Sequence, residues 1–377
     1  MLKQVYDWLQ VFLCSVLIFI TIPYTPLIWK TLSAAQKSQV IIGIYFLALL
    51  LGISILIYLL FLKKERSIFP YFWFLIAVLL YVQSFSILNE FPVEKVHLIE
   101  YGILGFLVFK ALKNNLKNLN VYIWSLLLIF YVGIFDETIQ WLIPNRIGDI
   151  IDVWLNTKSG VLSLLLIGLV IRPRDIEYKV SLTNLEKIYI PISLAIAATG
   201  VFINLVHDFG YKIRVSNDIG MYSHFTEKEL RLIDSHLKKD IALLNRTASK
   251  FEKLVIRKPN APLRESKEVI FFKESADHRW ERDNLFLKKK FLQSLKEQII
   301  LNSYYSSVLN LNTHKWDINK EMLAEELSKK NIDEDFYSSP VCSILITKFS
   351  KAEMWIFIGV MVIVLMSLYV KSNYRNN

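Results

Sequence analysis

The sequence predicts an all-α protein: a polytopic membrane helical bundle joined to a helical extramembrane domain. Three observations predict it. Hydrophobic residues make up 54% of the 377-residue chain, and the mean hydropathy is +0.37, too apolar for an ordinary soluble protein. The apolar residues gather into runs near the ~20 residues that a helix needs to cross a bilayer. Between residues 207 and 351 these runs give way to a polar segment with helical periodicity.

In chain order, the apolar runs lie at 10–29, 40–62, 70–88, 96–112, 121–143, 188–206 and 353–371. The run 150–171 joins them despite Asp152, Asn156 and Lys158, because Val161 to Ile171 is wholly apolar or small and a helix of that length rises about 33 Å. Eight spans are expected. Lys3 and the first apolar run imitate a cleavable signal peptide, but the run continues past Pro23 and Pro26 to Ile28, longer than a usual signal core. An uncleaved first helix is the expectation.

Basic residues give an orientation. Lys63, Lys64 and Arg66 follow the second span, Lys110, Lys113 and Lys117 the fourth, Arg172, Arg174 and Lys179 the sixth, and Lys371 and Arg375 the last. The positive-inside rule puts these connections, and both termini, in the cytoplasm. The connections near Glu90–Lys95 and Pro144–Asp149 then face outward, as does the domain 207–351.

That domain is expected to be helical. Thr226 and Glu229 have the form of a capping box, followed by Leu230, Ile233, Leu237, Ile241, Leu244, Ala248 and Phe251 at helical spacing. Further helices are expected from about Arg264 to Ser275, from Arg282 to Leu309 and from near Asp317, with Pro259, Pro262 and Pro340 as punctuation. The basic run Lys288, Lys289, Lys290 reads as a solvated helix face. The domain organisation expected is 1–93 N-terminal spans, 94–171 membrane core, 172–206 a cytoplasmic connection and seventh span, 207–351 external domain, and 352–377 last span and tail.

The net charge of +10 is accounted for by lysines and arginines at span ends, so nucleic acid is not an expected partner; membrane lipids are. The two cysteines, Cys14 and Cys342, fall at opposite depths and imply neither a disulfide framework nor a cysteine metal site.

The functional candidates lie between Glu94 and Gly160, where ionisable groups interrupt the apolar segments at a cost that marks them as functional candidates. His97, Glu100 and Tyr101 sit on one face of the fourth span. Asp136 and Gln140 share a face of the fifth, with Glu137 displaced by about 100°. Acids at a helix C-terminus face the negative dipole end and need partners, and Arg146 is the expected countercharge. Asp149 and Asp152 suit the start of the sixth span. With Asn156 they form a polar stripe that Ser159, Gly160 and Ser163 continue, and Gly160 allows close helix contact. Snorkelling at the membrane interface accounts for Glu94 and Lys95.

The run Glu94-Lys95-Val96-His97 to Glu100-Tyr101, continuing through Gly102 to Phe106, resembles the first motif of the VanZ-like family of bacterial membrane proteins. The run Asp136-Glu137-Thr138-Ile139-Gln140, with Pro144, Asn145, Arg146, Asp149, Asp152, Asn156 and Gly160, resembles its second. Asn145 stands where the pattern commonly has Gly. The resemblance implies a protein of the bacterial cell envelope; the family takes its name from a protein associated with teicoplanin resistance, so a link to glycopeptide antibiotic resistance is an expectation too.

Two functions are weighed. In the first, Gln140, Arg146, Asp149, Asp152 and Asn156 bind a lipid-linked or peptide-like envelope component, such as a lipid-linked cell-wall precursor, while 207–351 covers it or recruits an envelope protein. In the second, His97, Glu100, Asp136 and Glu137 carry acid–base or metal-assisted hydrolase or transferase chemistry on an envelope lipid. A lipid or solute transporter is a third possibility. No metal or cofactor is assigned.

Overall fold

The structure is a computed structural model that describes residues 2–88, 94–143, 146, 148–177, 187–255, 265–311, 313–328 and 336–376. Glu90, Pro144, Asn145, Lys179, Pro259, Pro262 and Arg264, named above, lie outside the described residues. The chain divides into two compact units, Met1–Phe202 with Phe357–Asn377, and Ile203–Ile356.

The first unit is built of long helices: α1 (Leu2–Thr31), α2 (Ala34–Ile57, prolonged by a π-helical turn at Tyr58–Leu62), α3 (Ile68–Ile87), α4 (Lys95–Leu112), α5 (Asn120–Leu142), α6 (Ile150–Leu165, prolonged by a π-helical stretch at Leu166–Ile171) and α7 (Tyr189–Val206). Among the described residues, seven helices are long and apolar enough to cross a membrane, the last lying in Lys351–Ser372. The chain is thus a multi-pass membrane protein. Of the eight expected spans, α4 is missing from this set because Lys95, Glu100 and Lys110 fall inside it. Its position explains how it carries them. Tyr101, Leu104, Val108 and Phe109 of α4 pack in one core with Val11 and Ile18 of α1, Val121 and Ile129 of α5, and Leu164 of α6. Helix α4 packs against α1, α5 and α6 on one side while Ile103 and Phe106 stay exposed, so polar groups on the packed side find protein partners instead of lipid. By contrast α2 buries none of its residues, and its continuous apolar surface suits hydrocarbon.

Close approach of α5 and α6 depends on Gly160. A Cβ there would stand 2.7 Å from Ile129 Cγ2, so only glycine lets these helices meet at this distance. Polar ties complete the core. Asp7, buried in α1, pairs with Lys110 Nζ at 3.0 Å and accepts a hydrogen bond from Asn114 Nδ2 at 2.8 Å. Lys63 donates to the Ile171 carbonyl at 2.9 Å, satisfying an oxygen at the end of the α6 stretch. Lys95 does not snorkel: it is buried, donating to Tyr45 Oη at 3.0 Å.

The second unit is mainly helical, with β1 (Tyr211–Arg214), β2 (Ile219–Ser223), α8 (Glu227–Lys239), α9 (Ile241–Val255), α10 (Lys267–Leu287), α11 (Phe291–Tyr304), α12 (Ile318–Ser328) and β3 (Tyr337–Ser338). The last helix of the chain, α13, spans Lys351–Asn376. The small sheet departs from the expected all-helical domain. β1 and β2 form an antiparallel hairpin pairing Tyr211 with Ser223 and Arg214 with Gly220, and β3 adds in parallel, Ile219 opposite Tyr337. Ile213, Ile219 and Met221 turn inward onto Phe271, Ile300, Leu301 and Tyr305.

The expected helix limits shift for identifiable reasons. Thr226 and Glu229 form the capping box, but the helix breaks at Asp240, whose side chain accepts from Leu243 N–H at 2.8 Å and starts α9. Arg282 lies within α10 instead of opening a new helix. The Lys288–Lys290 run is not a helix face: it is the turn between α10 and α11, with Lys289 left-handed at φ 61°.

Candidate functional site

The candidate residues of α4, α5 and the start of α6 converge at one end of these helices. Asp136, Glu137 and Gln140 are all buried. The 100° offset between Asp136 and Glu137 does not send either to lipid, because each faces a different neighbour. Tyr101 of α4 donates to Asp136 Oδ2 at 2.8 Å. Glu137 instead meets the segment leading into α6, where Asp149 N–H donates to Glu137 Oε2 at 3.1 Å.

Gln140 links the two acids. Its Nε2 donates to Glu137 Oε1 at 2.7 Å and to Asp136 Oδ1 at 3.4 Å, while its Oε1 accepts from Arg146 Nη2. Arg146 therefore reaches the acids through Gln140, whereas direct charge pairing was the expectation. The guanidinium also presents a buried Nε with no hydrogen-bond partner.

Helix α4 adds the next layer. His97 Nδ1 stands 3.4 Å from Glu100 Oε2 and 4.0 Å from Asp136 Oδ2, yet makes no hydrogen bond and is sealed from solvent. His97, Glu100 and Arg146 line a cavity of about 20 Å³ with Thr21, Ile22, Thr25 and Val96. That volume suffices for about one water molecule.

Two glycines lie at the walls. A Cβ on Gly148 would meet the Glu137 carbonyl oxygen at 2.5 Å, so glycine lets the segment before α6 lie against the end of α5. At Gly133 a Cβ would stand 3.5 Å from Asn156 Cβ and 3.9 Å from Tyr101 Cε1, which places Asn156 beside the Tyr101–Asp136 pair. Asn156 is fully buried, and neither its amide nitrogen nor its oxygen has a hydrogen-bond partner.

Of the nine candidates, Asp136, Glu137, Gln140, Arg146 and Asp149 are linked by hydrogen bonds, His97 stands 3.4 Å from Glu100 and 4.0 Å from Asp136 without bonding to either, and Asn156 packs beside them. Asp149 also caps α6, accepting from Ile151 N–H at 2.9 Å. Asp152 is half-buried in the first turn of α6, outside the hydrogen-bond chain.

Residues 6–171 match the family model described as VanZ/LLP1. These residues are a VanZ-like domain. The match begins in α1, well before the motif residues, and the packing gives the reason: α1 supplies Val11 and Ile18 to the VanZ-like core and Thr21 and Thr25 to the cavity wall. No curated protein and no solved structure matches the chain. The threonines of α1 carried no signal in the sequence, since Thr21 and Thr25 bond to carbonyls of their own helix and are unremarkable in an apolar run. Asp7, an acid just before that run, was the available clue that α1 packs on protein.

Proposed function

We propose that this VanZ-like protein binds the polar headgroup of a lipid-linked component of the bacterial cell envelope at the α4–α6 cluster. One observation carries the reading: His97 Nδ1, Arg146 Nε and both amide atoms of Asn156 are buried without partners in one small region. Each such group costs about 1–3 kcal/mol relative to a satisfied one, so an arrangement that keeps several together is understandable if a polar ligand or water satisfies them. The cavity of about 20 Å³ corresponds to a closed, water-sized form, and a headgroup enters by displacing the Arg146 side chain. Arg146, Gln140 and Asn156 then supply donors, and Asp136 and Glu137 acceptors.

The proposed organisation joins the VanZ-like core in one chain to an external domain at 207–351, with both termini cytoplasmic as the basic residues suggest. The cluster then opens to the outer leaflet, where such a protein could limit glycopeptide access to lipid-linked precursors. The test is binding of labelled envelope lipids to purified protein in nanodiscs. Wild type is expected to bind, and an Asp136→Ala, Glu137→Ala double variant that remains folded is expected to lose at least tenfold in affinity. Equal binding by the two would defeat the assignment.

A further inference from the structure

The second unit contains a side-chain cluster that the reading above does not use. His224 follows β2, Glu274 lies in α10, and Cys342 lies in the turn after β3. One donor atom from each lies within 4.8 Å of the other two. Glu274 is the buried floor. Its Oε2 accepts from Ser223 Oγ and Tyr305 Oη, each at 2.7 Å, and its Oε1 accepts from His224 N–H at 2.7 Å. The same Oε1 stands 2.6 Å from His224 Nδ1. On the other side of the ring, Asp208 Oδ2 lies 3.4 Å from His224 Nε2. His224 and Cys342 are part-exposed, so the cluster has a path to solvent.

Cys342 is held in place. Its backbone is left-handed at φ 56°, an uncommon conformation for a side chain with a Cβ, and its carbonyl accepts from Leu345 N–H at 3.1 Å. Such conformations persist where the surroundings over-determine them, and they concentrate at functional positions.

We propose that His224, Glu274 and Cys342, with Asp208 at the rim, form a binding site for a divalent transition-metal ion of the zinc class. The donor set decides the ion: imidazole and thiolate favour zinc and its neighbours, whereas magnesium and calcium take oxygen ligands. Bond lengths of about 2.0–2.3 Å in tetrahedral geometry put donor atoms about 3.3–3.8 Å apart, so side-chain adjustments of about an ångström close the cluster on an ion. The ion takes the place of the proton between His224 Nδ1 and Glu274 Oε1. The surroundings suit a cation, since the carboxylates of Glu274 and Asp208 both face the imidazole. Ser223 and Tyr305 fix the carboxylate from behind, as outer partners of metal ligands commonly do. Three protein donors leave a position open to water, while Asp208, on the other side of the ring, orients the imidazole through Nε2.

The test uses the full-length protein in detergent, stripped with chelator and reloaded with zinc or cobalt. We expect zinc at one ion per chain by elemental analysis, and with cobalt a thiolate-to-metal charge-transfer absorption. Cys342→Ser, nearly isosteric, is expected to abolish that absorption, and His224→Gln to weaken zinc affinity beyond the about 10–100-fold that loss of an outer partner costs. A Cys342→Ser protein that melts like wild type and retains zinc with unchanged affinity would overturn the proposal, as would a wild-type protein that takes up neither metal. The site lies outside the VanZ-like domain, so its failure leaves the lipid-binding reading untouched.

Discussion

Gln140 is the side chain on which the membrane cluster turns, and replacing it with methionine isolates its amide. Methionine keeps an unbranched shape of similar length, so little cavity is created and the change is confined to hydrogen bonding. Three bonds disappear: to Glu137 Oε1 at 2.7 Å, to Asp136 Oδ1 at 3.4 Å, and from Arg146. The Asp136 bond is long and adds little. Arg146 is only half-buried and can turn toward water, so its loss is partly recovered. Glu137 is fully buried and keeps only the Asp149 N–H on its other oxygen. Losing a partner of a buried acid costs about 1.5–3 kcal/mol, whereas an average interhelical hydrogen bond in a membrane protein is worth about 0.6 kcal/mol. We therefore expect Gln140→Met to destabilise the protein by about 2–3 kcal/mol, read from unfolding in mixed detergent micelles. A loss of about 0.6 kcal/mol or less would show that Gln140 is an ordinary packing contact and that the acids do not depend on it.

Further outcomes follow from other parts of the molecule. Gly160→Ala places a Cβ 2.7 Å from Ile129 Cγ2 and should cost about 1–3 kcal/mol by overpacking; adding Ile129→Ala should recover part of it, and additive losses would contradict the close α5–α6 contact. In the second unit, burial, reinforced by Arg279 and Arg282, lowers the pKa of His314 from 6.5 to about 4. The folded unit thus resists a proton that the unfolded chain accepts, so stability is full above pH 6.5 and falls as pH drops toward 4. The loss reaches about 2–3 kcal/mol near pH 4.5. His314→Gln should flatten that part of the pH profile of unfolding, and an unchanged slope would exclude His314 as its source.

The spans were legible because hydropathy sums over some twenty residues and tolerates single exceptions. Helix α4 was legible as the run 96–112, but the packing that gives its Lys95, Glu100 and Lys110 protein partners was not. The motif residues stood out because a charge in an apolar run is costly wherever it points. Which of them would touch was less legible: the expected Arg146–acid pairing is replaced by relay through Gln140, a matter of a few ångströms in the segment before α6. The small sheet escaped because its strands are short, although Ile219 and Met221 alternate inward after the turn-forming Ser216-Asn217-Asp218. The meeting of His224, Glu274 and Cys342 has no sequence signature, since their separation fits no local metal motif and only the fold unites them.

The central claim is that the buried, unpartnered groups beside Tyr101 and Asp136 are kept for a ligand, and Asn156→Leu tests it most directly. Leucine has the same branched shape, with two methyl groups bulkier than the amide atoms they replace, and leaves no polar atom buried, and Asn156 has no hydrogen bonds to lose. A purely architectural site should gain about 1–3 kcal/mol and lose nothing else. Measured together on one preparation in nanodiscs, unfolding stability is predicted to rise while affinity for labelled envelope lipid falls at least tenfold. A stabilised variant that binds lipid as well as wild type would contradict the account.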